Sequence, residues 1–148
     1  MKKSTKILFS IMYWIVSLTW GALLTYIGLL ITLILIISGK KVHRNGCSYI
    51  VEVGGNWGGL ELGAVALCGN YSQTDPTWFQ HTRRHEFGHG IQQLIFGPFQ
   101  IFLVSIPSAI RYWYRRLTSN KKHKDYDAIW FEGTATKWGT HFINKFEF

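Results

Sequence analysis

Residues 75–98 read DPTWFQHTRRHEFGHGIQQLIFGP and define the central helix of the predicted fold. Asp75 can accept hydrogen bonds from the backbone N–H groups that a first helical turn leaves unpaired, and proline is favoured at the first helical position. The pair Gly97-Pro98 is typical of a helix end. The sequence therefore predicts a helix from Pro76 to about Phe96.

Two histidines and a glutamate fall in the middle of this helix. His85 and His89 are four residues apart, so their imidazoles would project from one face and could bind a single metal ion. Glu86 lies beside them, where its carboxylate could take a proton from a metal-activated water. This HExxH arrangement predicts a zinc ion bound by the two histidines, with Glu86 as the general base.

A catalytic zinc site needs a third protein ligand and one open position. The best candidate is Glu132, a carboxylate surrounded by apolar residues. It lies in a helix that is predicted to begin near Asp125 or Asp127 and to run to Gly139. Ala135 follows one turn later on the same face, and its small side chain would let this helix approach the histidine helix closely.

The order of these residues resembles a known family pattern. His85-Glu86-x-x-His89 followed by Glu132-x-x-Ala135 resembles the gluzincins, in particular the integral-membrane group that includes heat-shock-type membrane proteases and prenyl-protein proteases. The surrounding text is also similar to small bacterial membrane proteins that carry HEYGHxxQ. The resemblance implies a zincin-like peptidase with Zn²⁺ bound by the two histidines and Glu132.

One position departs from this pattern, which otherwise extends over residues 57–139. Where the membrane proteases continue Ala-Asp, this chain has Ala135-Thr136, so a hydroxyl replaces the carboxylate that would orient a zinc-bound histidine. Outer partners of this kind change metal affinity or activity by about 10–100-fold. A catalytically inactive zinc-binding membrane protein with a structural or adaptor role is therefore the alternative to a peptidase.

The group that would stabilise the oxyanion is open among three residues. Tyr126, His123 and His141 carry suitable hydrogen-bond donors, and nothing in the sequence ranks them. All three flank the predicted Glu132 helix or lie within it. Their relative positions in the fold must decide among them.

Two strands are predicted between the basic connector 40–46 and the histidine helix. Residues 49–53 and 60–67 are rich in β-branched and aliphatic side chains, and the glycine-rich segment 54–59 joins them in a hairpin or small sheet. The second strand is either a packed core strand or an edge to which an extended peptide adds, with Glu61 near the cleft. The fold class predicted from these strands and helices is α+β.

The first part of the chain is predicted to enter a membrane. Ile7–Ser38 contains 32 residues without a charge, which exceeds the roughly 20 needed to cross a bilayer as a helix. A signal peptide has a shorter apolar region and would not end in Lys40-Lys41. One long tilted helix and a tight hairpin that bends near Trp20-Gly21 are both compatible with this run.

These segments divide the chain into residues 1–39, a membrane anchor, and residues 40–148, a zincin-like metallopeptidase domain. Within the domain, residues 94–110 are uncharged but contain two prolines, so a membrane-dipping or protein-buried segment is predicted. The six Lys and Arg residues of 111–124 would face an anionic inner leaflet. The catalytic part is therefore predicted to face the cytoplasm at the cell membrane.

The net charge and the aromatic content of the chain indicate which partners the protein binds. A net charge of +8 with seven Trp and seven Tyr would also suit a nucleic-acid groove, but membrane flanks account for both features, so nucleic acid is not predicted. Membrane lipid and a peptide or membrane-protein substrate are the predicted partners, and the oligomeric state is left open. Cys47 and Cys68 show no CxxC spacing, which gives neither a disulfide framework nor a four-thiolate zinc site.

Overall fold

Five α-helices and a four-stranded sheet make up the described part of the chain. The computed structural model describes residues 3–55, 57–119 and 121–146. The main elements in chain order are α1 Lys3–Thr19, α2 Ala22–Ile37, β1 Lys41–Asn45, β2 Ser48–Glu52, β3 Gly59–Leu62, β4 Val65–Cys68, α3 Pro76–Phe96, α4 Ile106–Leu117 and α5 Trp130–Phe146. Short turns of 3-10 helix at Gly97–Phe99 and Tyr126–Ala128 and a π-helical turn at Ile101–Ser105 connect the last three helices. The predicted α+β class is confirmed.

The sheet has the order β1-β2-β4-β3, with one parallel pair between two antiparallel pairs. Of the two predicted arrangements, the small sheet is confirmed and the hairpin is wrong, because β2 pairs in parallel with β4, which is not the next strand along the chain. The predicted single strand 60–67 is also wrong, since the chain turns at Gly63, where φ is +77°. This turn divides the segment into β3 and β4 and places β3 at the outer edge.

The prediction of a basic connector at residues 40–46 is also wrong, because Lys41–Asn45 forms the edge strand β1. All five of its residues pair with β2. An edge strand needs apolar side chains only where it faces the core, so its polar sequence gave no strand signal. His43 Nε2 lies 2.5 Å from Glu52 Oε1, which pairs this strand with a buried carboxylate.

The uncharged N-terminal run forms two helices that meet at 99°. The break falls at Trp20-Gly21, as the hairpin prediction placed it, but the two axes are near a right angle and no single long helix forms. Gln93 of α3 donates to the Gly21 carbonyl at 2.7 Å, so the bend packs directly on the central helix. Tyr13 of α1 is likewise buried, against Phe87 and Ile91 of α3.

The length and composition of the helices limit how the chain could cross a membrane. In residues 3–55, 57–119 and 121–146 no helix alone is long and apolar enough to cross a bilayer. Two bent pairs meet the criterion when their helices are taken together: Ser4–Thr19 with Ala22–Ile37, and Pro76–Phe99 with Ile101–Leu117. The second pair is bent by 118°.

The histidine helix α3 has the predicted bounds. Asp75 accepts a hydrogen bond from the Trp78 backbone N–H at 2.9 Å, and Pro76 occupies the first turn. The helix ends at Phe96, before Gly97. The prediction from the capping and terminating residues is therefore confirmed.

Helix α5 crosses α3 at very short range. A Cβ at Gly88 would collide with the backbone of Ala135, and a Cβ at Gly139 would collide with the Arg84 carbonyl. The predicted helix end at Gly139 is wrong, because α5 continues to Phe146. Gly139 therefore serves the helix contact and does not end the helix.

Replacing Gly139 with alanine tests this close contact. In a helix interior, alanine is normally better than glycine by about 1 kcal/mol. Here the new methyl group meets backbone of α3, and such overpacking costs about 1–3 kcal/mol. We therefore expect a lower free energy of unfolding in a urea titration of the detergent-solubilised protein.

The matched control is Gly58→Ala, because a Cβ there meets nothing within 4 Å and the φ angle is not positive. The control should unfold like the wild type. A stabilised Gly139→Ala protein would contradict the close crossing of the two helices.

Candidate metal centre

Three side chains converge where α3 and α5 cross. The Nε2 atoms of His85 and His89 are 3.1 Å apart, and they lie 3.0 and 3.2 Å from Oε2 of Glu132. Ligand atoms around a tetrahedral ion with bonds of about 2.0 Å would be about 3.3 Å apart, whereas the longer bonds to calcium require wider spacing. The cluster is buried and could bind a metal ion with short bonds.

His89 is held in the tautomer that a metal ligand needs. Its Nδ1 lies 2.8 Å from Oε1 of Gln92. The Gln92 amide nitrogen donates to the Phe131 carbonyl at 2.7 Å, which identifies the oxygen as the atom facing the imidazole. Because that oxygen can only accept, Nδ1 carries a proton, and Nε2 is the atom that faces the cluster and whose lone pair would bind a metal ion once its own proton is lost.

The second histidine has a hydroxyl as its outer partner. His85 Nδ1 lies 2.8 Å from Oγ1 of Thr136, the position where the sequence departs from the gluzincin pattern. A hydroxyl can accept the Nδ1–H hydrogen bond, as a carboxylate would, although without a full negative charge. Thr136 thus occupies the geometric position of the orienting group.

Replacing Thr136 with valine should weaken metal binding. Valine keeps the shape of threonine but cannot accept the hydrogen bond from His85, so the ring loses its orienting partner. Loss of such a partner typically lowers metal affinity by about 10–100-fold. Competition for zinc with a chromophoric chelator measures this change, and Thr136→Ser should restore most of the affinity. Equal affinity in all three proteins would contradict the orienting role.

Glu132 is fixed from both sides. Its Oε2 faces the histidines, while Oε1 accepts a hydrogen bond from the Ser108 hydroxyl of α4 at 2.5 Å. Burial alone would raise the pKa of Glu132, but hydrogen bonds from His85 and His89 outweigh it and hold the pKa well below its usual range. The carboxylate is therefore available in its charged, metal-binding form.

The candidate general base opens onto the same cavity as the ligands. The cavity measures about 680 Å³, and its lining includes Glu86, His85 and His89. Glu86 is only 5% exposed, and a Cβ at Gly59 would collide with its carboxylate. The start of β3 therefore lies directly against Glu86, and a side chain at position 59 would have to displace that carboxylate.

The edge strand β3 forms one wall of the cavity. Gly59, Leu60 and Glu61 all line it, and β3 has only β4 as a neighbour in the sheet. Oε1 of Glu61 accepts a hydrogen bond from the Gly63 backbone N–H at 2.5 Å. Burial raises the pKa of Glu61 to about 8, so this carboxyl is mostly protonated at neutral pH.

The three candidates for oxyanion stabilisation lie in different places. Tyr126 lines the cavity, and its ring centroid is 6.1 Å from that of His85. His123 instead hydrogen-bonds the hydroxyl and carbonyl of Thr118 at 3.0 and 2.9 Å. His141 is exposed on α5 and is not part of the cavity wall. The structure thus brings only Tyr126 of this set to the metal cluster.

Sequence reasoning missed two residues that hold the ligands, Gln92 and Ser108. Gln92 is fully buried, three residues after His89, and its match to the glutamine of the HEYGHxxQ pattern was the available signal. Ser108 lies 24 residues before Glu132 in an apolar segment, and no spacing rule connects the two. The two thiols are outside the cluster: Cys47 and Cys68 are free and buried in separate apolar clusters.

Comparison with known proteins provides no relative for this chain. No family model, no curated protein and no solved structure matches it. The gluzincin resemblance therefore remains a prediction carried by the motif residues.

Proposed function

We propose that this protein is a membrane-associated zinc metallopeptidase that hydrolyses peptide bonds. The observation that carries the proposal is the buried cluster of His85, His89 and Glu132, with ligand atoms 3.0–3.2 Å apart and Glu86 in the same cavity. Two imidazoles and a carboxylate suit zinc better than magnesium or calcium, which prefer oxygen ligands alone. Three protein ligands also leave a fourth position open, as in catalytic zinc sites.

In peptide-bond hydrolysis, different groups at the site would have different roles. Zinc, when bound, supplies a Lewis acid that lowers the pKa of the attacking water and polarises the scissile carbonyl. Glu86 takes the proton from that water and delivers it to the amine that leaves. The Tyr126 hydroxyl, which lies in the cavity lining, would donate to the oxyanion that develops on the carbonyl.

An extended peptide is the substrate that fits the cavity. The outer edge of β3 offers backbone N–H and C=O groups along the wall, and a peptide can pair with them as an added strand. Such pairing would place its backbone beside Glu86, since Gly59 lies against that carboxylate. Glu61 would lie under the bound strand.

Two observations favour a peptidase over an inactive zinc protein with a structural or adaptor role. Thr136 hydrogen-bonds His85 at 2.8 Å, so the departure from the family pattern leaves the histidine oriented. The cavity of about 680 Å³ is also within the range of ligand-binding pockets, so the site has room for a substrate.

Exposed apolar side chains on the first two helices support the membrane association. Leu8, Ile15, Leu30 and Ile37 are between 57% and 79% exposed, although a folded chain usually buries such residues. A bilayer would cover them. The basic residues that follow α4 favour the cytoplasmic face, because the inner leaflet is anionic.

Peptide hydrolysis by the zinc-loaded protein tests the proposal. The full chain is purified in detergent, incubated with a mixture of peptides and membrane proteins, and the products are identified by mass spectrometry. We expect cleavage that a chelator abolishes and that added zinc restores. Protein that holds one zinc per chain but cleaves none of these substrates would support the structural or adaptor alternative.

A further inference from the structure

We propose that α4 lies on an anionic bilayer through one face while its opposite face closes the metal cavity. This inference rests on the proposed membrane association and assigns it a second contact, separate from the α1–α2 anchor. Its partner is the surface of a bilayer that contains anionic lipid.

The outer face of α4 is a continuous apolar stripe. Ile106, Ile110 and Leu117 follow one another at helical spacing, so their side chains project from one side, and Trp113, which also lines the cavity, lies at the border of this stripe. The three aliphatic side chains are 45%, 64% and 81% exposed, and no residue of α4 is buried. Such a stripe loses its contact with water when it lies in the interface of a bilayer.

The inner face of α4 touches the metal site. Ser108 donates to Glu132 at 2.5 Å. Arg111 and Arg115 lie one and two turns further along, and each guanidinium stacks on the Tyr126 ring at 5.5 Å from its centroid. At about 100° per residue, this face is about 180° from the apolar stripe. The helix therefore has one side at the metal site, while on the other side the described part of the chain leaves Ile106, Ile110 and Leu117 largely exposed.

The charges around α4 identify the covering surface. Residues 94–124 contain six Lys and Arg residues and no Asp or Glu. Lys121, Lys122 and Lys124 are exposed just beyond the helix. A second copy of the chain that packed on the same stripe would bring two such basic segments together, whereas anionic lipid attracts them.

One helix thus connects the bilayer to the metal ligand. When lipid holds the outer face, Ser108 on the inner face stays on Glu132, and Tyr112 and Trp113 stay in the cavity wall. The cavity then opens beside the lipid surface, so the polypeptide segments that reach it first are those lying at that surface. Anionic lipid should also slow the release of bound zinc.

The depth of α4 in a bilayer tests the proposal directly. A nitroxide label is attached to Ile110→Cys in the full chain, which is reconstituted in nanodiscs of phosphatidylcholine with one quarter phosphatidylserine. Cys47 and Cys68 should stay unlabelled, because burial raises the pKa of both thiols to about 12. The control label is at Lys137→Cys, which is exposed on α5.

We expect the Ile110 label to be accessible to lipid-soluble oxygen and shielded from a water-soluble nickel chelate, with an oxygen-to-nickel ratio several-fold above that at Lys137. The triple variant K121Q/K122Q/K124Q removes three charges, each of which changes the partition by about 5-fold near an anionic surface. The fraction of α4 lifted from the bilayer should then rise by on the order of 100-fold. Nanodiscs of phosphatidylcholine alone should give a shift at least as large, because the arginines of α4 then lose the same attraction.

Two results would overturn the proposal. The Ile110 label could be as accessible to nickel as the Lys137 label with and without phosphatidylserine. Alternatively, it could be shielded only at high protein concentration, with spin–spin broadening that reveals a second copy. The readout does not depend on hydrolysis, so a protein that cleaves peptides while Ile110 stays in water refutes this inference alone. An inactive protein with a lipid-covered Ile110 refutes the proposed peptidase alone.

Zinc release tests the connection to the site. Transfer of zinc from the reconstituted protein to a chelator should be several-fold slower with phosphatidylserine present. Ser108→Ala should remove this lipid dependence, because the link to Glu132 is lost. Ser108→Thr keeps the hydroxyl and should preserve it. Lipid-independent release in the wild type would contradict the coupling.

Discussion

Replacement of Glu86 by glutamine should abolish peptide hydrolysis and leave the bound zinc in place. Glutamine has the shape of glutamate and still fits against Gly59, so the cavity wall is preserved. Its amide cannot accept a proton from the attacking water, and loss of a general base costs about 10²–10⁴-fold in rate. The metal ligands are untouched, which separates this variant from one that simply loses its metal.

The measurement compares kcat on one identified peptide with the zinc content of the same preparation. A suitable control is Asp75→Asn, the same carboxylate-to-amide change at the start of the same helix, where asparagine caps equally well. The control should cleave at the wild-type rate. If the Glu86→Gln protein cleaved the peptide at the wild-type rate, Glu86 would not be the general base.

Replacement of Glu132 by glutamine should strongly lower the affinity of the protein for zinc. The amide can still accept a hydrogen bond from Ser108, but it has lost the negative charge that faces the two histidines. Two neutral imidazoles alone bind zinc far more weakly than two imidazoles and a carboxylate. The loss of affinity should exceed the roughly 10–100-fold expected for an outer partner such as Thr136.

Zinc content after dialysis against a weak chelator measures this loss. Asp127→Asn removes a second carboxylate from the cavity region, but this residue is exposed and is not part of the ligand cluster. The Asp127 variant should keep its zinc. Full zinc occupancy in Glu132→Gln would mean that another residue is the third ligand.

Local sequence signals predicted the elements that local interactions determine. The bounds of α3 follow from Asp75, Pro76 and Gly97, which act within one turn of the helix ends. The spacing of the two histidines is also a local property, because four residues make about one helical turn. These features need no knowledge of the rest of the fold.

The strand pairing depends on longer-range packing, so the sequence predicted a small sheet but could not exclude the hairpin, which does not form. Gly63 takes a positive φ and lies against Thr25 of α2, so the chain reverses there. That reversal inserts β4 between β2 and β3, and no pattern within β2 or β4 distinguishes parallel from antiparallel pairing. The polar edge strand β1 was missed because only its pairing with β2 makes it a strand.

The site was predictable as far as its motif residues extend. Glu132 and Ala135 could be placed near the histidines by their own environment, but the hydrogen bonds of Ser108 and Gln92 join elements that are distant in sequence. Gly139 looked like a helix terminator because glycine often ends helices. Only the contact with Arg84 of α3 reveals why a glycine is needed within the helix.

X-ray absorption at the zinc edge of the purified full chain tests the central claim most directly. The account predicts about one zinc per chain with about four nitrogen or oxygen neighbours near 2.0 Å, and with the outer-shell scattering of two imidazole rings. The imidazole signal should fall by half in His89→Ala that is supplied with excess zinc. A sulfur neighbour near 2.3 Å, or protein that purifies and stays without zinc under saturating metal, would contradict it.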